Sequence, residues 1–174
     1  MEIETFIGSW ENARKRTMRY VENFPSDLIN FQPSKETFSF CKQILHIISW
    51  EQIMFSRLLD EIPVEDEFRE DEVKDKSELQ NLLVMVTNET QEKIQQMKKS
   101  EWKKTIPIDG NMIPFKDVFL DLIEHEAHHR GQLAVYYRLS GLQPPSYLEE
   151  EFDINKTHLL TRPHVEVFIS SMII

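Results

Sequence analysis

A chain of 174 residues fits one domain and is long enough to bury about two-thirds or more of its unfolded surface. A net charge of -10, with no long basic run, argues against duplex nucleic acid as a partner and disfavours anionic membranes, because phosphate contacts need clustered Lys and Arg. No stretch approaches the ~20 apolar residues of a membrane span. Cys41 is the single cysteine, and the opening "MEIETFIGSW" has neither the basic region nor the apolar stretch of a signal peptide, so a cytoplasmic protein is expected.

Only 4 glycines occur, which favours helices over a turn-rich sheet. The first predicted helix runs from about Ile3 to Phe24 and stops at Pro25. Phe6, Trp10, Ala13, Met18 and Val21 are spaced to make its apolar face. The second follows "QPSKETFS", with Ser39 as N-cap, and runs from about Phe40 to Glu61. Ile44, Leu45, Ile47, Ile48, Trp50, Ile53 and Phe55 make it apolar nearly all round, the mark of a central, buried helix. The acidic run from Glu65 to Asp75 reads as a solvated connection. The third helix is expected to open at Ser77, with Gln80 completing a capping box, and to reach about Lys99. Its inward residues are Leu79, Leu82, Leu83, Val86 and Ile94. In "TIPIDGNMIPF" the Asp109-Gly110 pair predicts a tight hairpin turn between short extended pieces. The fourth helix spans about Phe115 to Leu139 and ends before Gly141 and the Pro144-Pro145 pair.

The predicted fold is therefore all-α: a four-helix bundle over residues 1–145 with a hairpin-like connection before its last helix. Residues 146–174 form a C-terminal extension whose "HVEVFISSMII" is apolar enough to pack on the bundle or on a partner subunit.

The segment "IEHEAHHRGQ", residues 123–132, carries the chemistry. At about 100° per residue, Val118, Leu122, His125, His129, Gln132, Leu133 and Tyr136 share one stripe of the fourth helix. The apolar members make that stripe the core face, so His125 and His129 are carried inward with Cβ atoms roughly 6 Å apart. Two buried imidazoles are costly unless a metal or hydrogen bonds satisfy their nitrogens. His46, inside "ILHIISW", would on its own be read as a hydrogen-bonded core histidine. Beside an inward pair on another helix it becomes a third ligand, giving His46, His125 and His129 as a metal site with open positions. His128 points away from the pair, and His158 and His164 read as surface histidines. Glu126 and Gln132 border the ligand stripe, where either could orient a ligand, hold a bound water or move a proton, or simply form a partly exposed flank.

His125, Glu126 and His129 also spell H-E-x-x-H, the zinc-protease signature. A metzincin would continue with Gly at 132 and His at 135, where this chain has Gln132 and Val135. A gluzincin needs a downstream Glu ligand, and Glu149, Glu150 and Glu151 lie beyond two prolines in an acidic stretch. Protease is the weaker reading.

"HEAHHRGQLAVYYRLSGLQPP" and "FQPSKETFSFCKQILHIISWE" together resemble the DinB/YfiT-like family over roughly residues 1–145. The resemblance implies a four-helix bundle holding a divalent ion on His46, His125 and His129. Nickel or zinc comes first, with iron or manganese as alternatives. It also implies a homodimer acting on a small-molecule substrate, with no nucleic-acid or membrane partner. Relatives that transfer bacillithiol or use mycothiol point to a metal-dependent S-transferase with a low-molecular-weight thiol as co-substrate, serving stress response or detoxification. The alternatives are a hydrolase using a bound hydroxide and a non-enzymatic stress protein with a structural metal.

Overall fold

The computed structural model describes residues 3–59 and 68–147. Expectations for the end of the second helix, for part of the acidic run and for residues 148–174, including His158 and His164, lie outside the described residues. Four helices dominate: α1 (Ile3–Asn23), α2 (Phe40–Leu58), α3 (Lys76–Gln96) and α4 (Phe115–Leu139). Each of α1 and α2 packs against both α3 and α4, so α1 and α2 face one another across the diagonal of the bundle. No helix among the described residues is long and apolar enough to cross a membrane.

Local chemistry sets the helix ends. Ser39 caps α2 by accepting a hydrogen bond from the Lys42 amide at 3.0 Å, as its sequence position predicts. The start of α3 differs from expectation. Asp75, not Ser77, is its N-cap and accepts from the Glu78 amide at 2.9 Å, while the Glu78 carboxylate accepts from the Lys74 amide at 2.7 Å. A capping pair three residues apart is present, but it is Asp-x-x-Glu; Asp caps as well as Ser, and a Glu in the first turn also suits the helix dipole. The same helix ends at Gln96, short of Lys99, because Met97 adopts an extended backbone. Asp109 and Gly110 both have positive φ, 47° and 81°, and join β1 (Thr105–Ile108) to β2 (Asn111–Pro114) in the antiparallel hairpin expected. Gly141, at φ 74°, ends α4: its amide bonds to Arg138 O at 3.1 Å and that of Leu142 to Tyr137 O at 2.8 Å. The acidic run is more than a solvated connection, since Glu70 accepts a hydrogen bond from Ser39 and so joins the α2 cap.

The core has two apolar halves. One gathers Phe24, Phe40, Ile44, Leu83 and Tyr137, with Phe24 stacked on Phe40 at 3.8 Å between centroids. The other gathers Trp10, Phe55, Trp102, Phe115 and Phe119. On every helix polar residues lie between these halves: Arg14 and Thr17 on α1, Glu51 on α2, Thr87 and Thr90 on α3, Glu126 and Arg130 on α4. They form one network. The Arg14 guanidinium donates to Glu51 at 2.8 Å, to Glu126 at 3.2 and 3.3 Å, and to Thr87 at 2.9 Å, so a single side chain touches the other three helices. Trp10 and Thr90 donate to Glu51 at 2.6 and 2.7 Å, and Thr17 donates to Glu126 at 2.5 Å. Arg130 adds a second cation 3.6 Å from Glu126, and itself donates to Ala13 O and Thr17 at 3.2 Å each. Burial alone would lower the Arg14 pKa, yet Glu126 and Glu51 outweigh it and hold the group above its ordinary value. Burial pushes the Glu51 carboxyl upward, with Arg14 offsetting only part of the effect.

Two cations balance two carboxylates in this layer. Removing Arg14 would leave Glu51 and Glu126 buried without the cation they share. Arg14→Met, which keeps length but removes charge, is expected to cost about 3–5 kcal/mol of stability in urea unfolding. A loss below about 1 kcal/mol would mean the layer contributes little.

Candidate metal centre

The three histidines singled out by sequence come together at the level of the polar layer. Side-chain donor atoms of His46, His125 and His129 all lie within 4.8 Å of one another. Ring centroids are 4.4 Å apart for His125 and His129, and 5.0 Å for His46 with each of them. His125 and His129 approach most closely through Nε2, at 3.0 Å, the consequence of placing them one turn apart on α4. His46 reaches them from α2, which packs along α4. His129 is buried; His46 and His125 are half-buried, so the cluster sits at the edge of the core, within reach of solvent.

The electrostatics suit ligation. Burial, reinforced by repulsion from His46 and His128, lowers the His125 pKa to about 4. Burial together with repulsion from His125, His46 and His128 takes His129 to about 4 as well, the Gln132 amide pulling the other way. At neutral pH both rings are therefore uncharged, the form in which imidazole offers a lone pair to a metal. A set of three convergent imidazoles fits a divalent ion such as zinc or nickel and leaves coordination positions for other groups.

The neighbouring residues divide. His128 is exposed and its Nε2 is 2.9 Å from the Gln132 amide nitrogen, which places Gln132, half-buried, at the rim beside the cluster. Glu126 is drawn into the ionic layer, its oxygens held by Arg14 and Thr17. An H-E-x-x-H protease would need that carboxylate at the metal, and the only sheet among the described residues is the short hairpin. Two aromatic rings flank the histidines: Phe38 lies 5.4 Å from His46 and Trp50 lies 6.1 Å from His125.

Two contributors escaped the sequence reading. Gln43, on α2, is hydrogen-bonded through Oε1 to His129 Nδ1, and its Nε2 lies 3.1 Å from the Tyr136 hydroxyl. A signal was present: Gln43 is an amide immediately before the apolar run of α2, a single turn before His46. Tyr136 lies on the core face, as the periodicity of α4 predicts, and its hydroxyl is also in use, donating to Phe38 O at 2.6 Å. Cys41 takes no part. Burial above all, with Glu70 nearby, pushes its thiol up to about 12, against the opposing pull of Lys42.

Comparison with known proteins agrees with the four-helix fold. The family model described as the DinB superfamily matches residues 9–133. The fold is similar to that of a DinB-like protein from Bacillus cereus ATCC 10987, with a TM-score of 0.71 and 20% identity over 83% of this chain and 96% of that one. A DinB-like protein from Bacillus subtilis gives a TM-score of 0.69 and 19% identity over 84% of this chain and 99% of that one. No curated protein matches the sequence.

Replacing His46, His125 or His129 singly by Ala is expected to weaken zinc or nickel binding by more than about 100-fold, beyond the 10–100-fold typical of losing an outer partner. His128→Ala should stay within about two-fold of wild type in the same titration, since His128 lies outside the convergent set. Native protein at about pH 8 should leave a chromogenic disulfide reagent unreacted, because the Cys41 thiol stays protonated and buried; unfolding in denaturant should release one reactive thiol per chain.

Proposed function

The chain belongs to the DinB superfamily, and from that membership and its histidine cluster we propose that it is a divalent-metal-dependent enzyme, a bacillithiol-type S-transferase that joins a low-molecular-weight thiol to small electrophiles. The observation that carries this reading is the convergence of three imidazole donors within 4.8 Å at a half-buried edge of the core. His46, His125 and His129 would hold the ion, nickel or zinc. When bound, such an ion supplies Lewis-acid activation, lowering the pKa of a thiol or water so that a nucleophile exists at neutral pH.

The chain's own residues support the thiol form of this chemistry. Its single cysteine is buried and protonated, so any reacting thiol must arrive as a co-substrate. Phe38, 41% exposed, and Trp50 border the histidines with aromatic surface that suits an apolar electrophile. Gln132, at the rim and hydrogen-bonded to His128, would orient a group bound beside the histidines, while Glu126 would act through the ionic layer that positions α4. We further propose that the protein is cytoplasmic, in keeping with its single, buried cysteine, and a homodimer, as the family resemblance implies.

Elemental analysis of untagged protein should return about one divalent ion per chain, and the metal-loaded protein should form thioether product from a test electrophile only when a small thiol is added. Turnover without thiol, with solvent oxygen in the product, would instead identify a hydrolase. A fully closed coordination sphere, with unfolding on chelation, would identify a structural metal.

A further inference from the structure

Hydrogen-bond direction around His129 can be followed from a group whose role is unambiguous. The backbone carbonyl of Phe38 can only accept, and the Tyr136 hydroxyl oxygen lies 2.6 Å from it, so the single hydroxyl proton of Tyr136 is committed there. Facing Gln43, the Tyr136 oxygen is then an acceptor. At 3.1 Å it can be met only by the amide NH2 of Gln43, which turns the amide carbonyl the other way. That carbonyl meets His129 Nδ1 and, being an acceptor, requires Nδ1 to carry a proton. Neutral imidazole carries one proton only, so Nε2 of His129 is left with its lone pair. Nε2 is also the atom that faces His125 Nε2, 3.0 Å away.

We propose that Gln43 and Tyr136 are positioning residues that lock His129 in the Nδ1-protonated tautomer and so present its Nε2 lone pair to the histidine cluster. The lock is anchored on the main chain at Phe38, immediately before the Ser39 cap of α2, and so ties the ligand's tautomer to the start of the helix that carries His46. All its members are fixed by packing: Gln43 is 2% exposed, Tyr136 4% and His129 6%. The Gln132 amide is bonded to His128. In the metal-free protein His125 must then supply the proton between the two Nε2 atoms.

The significance for metal affinity rests on the metal-centre reading, whereas the lock is testable without any ion. In metal-free full-length protein labelled with 15N at histidine, two-bond proton–nitrogen correlation at about pH 7 should show His129 protonated at Nδ1 and bare at Nε2. Gln43→Leu should give a mixture of tautomers and weaken zinc and nickel binding by about 10- to 100-fold. Tyr136→Phe, which keeps the ring, should shift the tautomer balance in the same direction, and it carries the test alone should Gln43→Leu fail to fold. In the double variant Tyr136→Phe should add nothing to the loss caused by Gln43→Leu, because both act through one path. Wild-type His129 protonated at Nε2, or tautomer populations unmoved by both single variants, would overturn the lock. Wild-type protein that takes up neither ion would remove the metal reading, and the tautomer measurement would still decide the lock.

Discussion

One guanidinium holds this bundle in register. Arg14 lies at the diagonal of the four helices, 1% exposed, and reaches Glu51, Thr87 and Glu126 on the three helices other than its own. Apolar side chains of similar volume can slide past one another at modest cost, and a core of leucines and phenylalanines specifies helix depth only loosely. A buried ion pair with fixed hydrogen-bond geometry behaves differently, since a slip of one residue would strand a carboxylate without a partner. The two apolar halves on either side supply the driving force for collapse, and the polar layer between them selects the alignment in which the halves meet.

That alignment also assembles the histidines. Glu51 follows His46 by little more than one turn of α2, and Glu126 adjoins His125 on α4. Fixing both carboxylates on Arg14 therefore fixes the two helix segments that bear the imidazoles. The division of labour along α4 is angular. His125 and His129 turn toward α2 and the edge of the core, while Glu126 and Arg130, one residue further round, turn toward α1. A scaffold that is rigid at the level of the site suits a metal centre, in which ligand placement to a fraction of an ångström governs affinity. The imidazoles of His125 and His129, kept neutral by burial and repulsion from neighbouring histidines, are ready to ligate without first losing a proton.

Much of this was legible in the residue order. The boundaries of α4, the hairpin at Asp109-Gly110 and the Ser39 cap follow from short-range rules, and the observed elements match them. The inward direction of His125 and His129 follows from the periodicity of Val118, Leu122, Leu133 and Tyr136, all of which are buried. The α3 cap lies two residues before the expected Ser77 because Asp75 and Ser77 both offer a capping oxygen, and only the reciprocal bond from Glu78 chooses between them. Arg14 and Thr17 interrupt an apolar stripe whose other members dominate the pattern, so the ionic layer was hidden inside a helix that reads as simply amphipathic. Glu126 looked like a neighbour of the ligands because sequence adjacency says nothing about a rotation of 100° around a helix axis.

The sequence alone determined the elements, the core faces and the kinds of atom brought inward, because those depend on backbone sterics, turn chemistry and hydrophobic period, all of which act over a few residues. Tertiary structure decided which inward polar groups meet. Gln43 could have satisfied its amide anywhere along α2, and Tyr136 its hydroxyl in water, until packing of α2 against α4 placed one beside the other and both beside His129. Hydrogen-bond partners 86 and 93 residues apart carry no local signature. They are selected by burial, which makes every unpaired donor costly and leaves one arrangement in which each is paired.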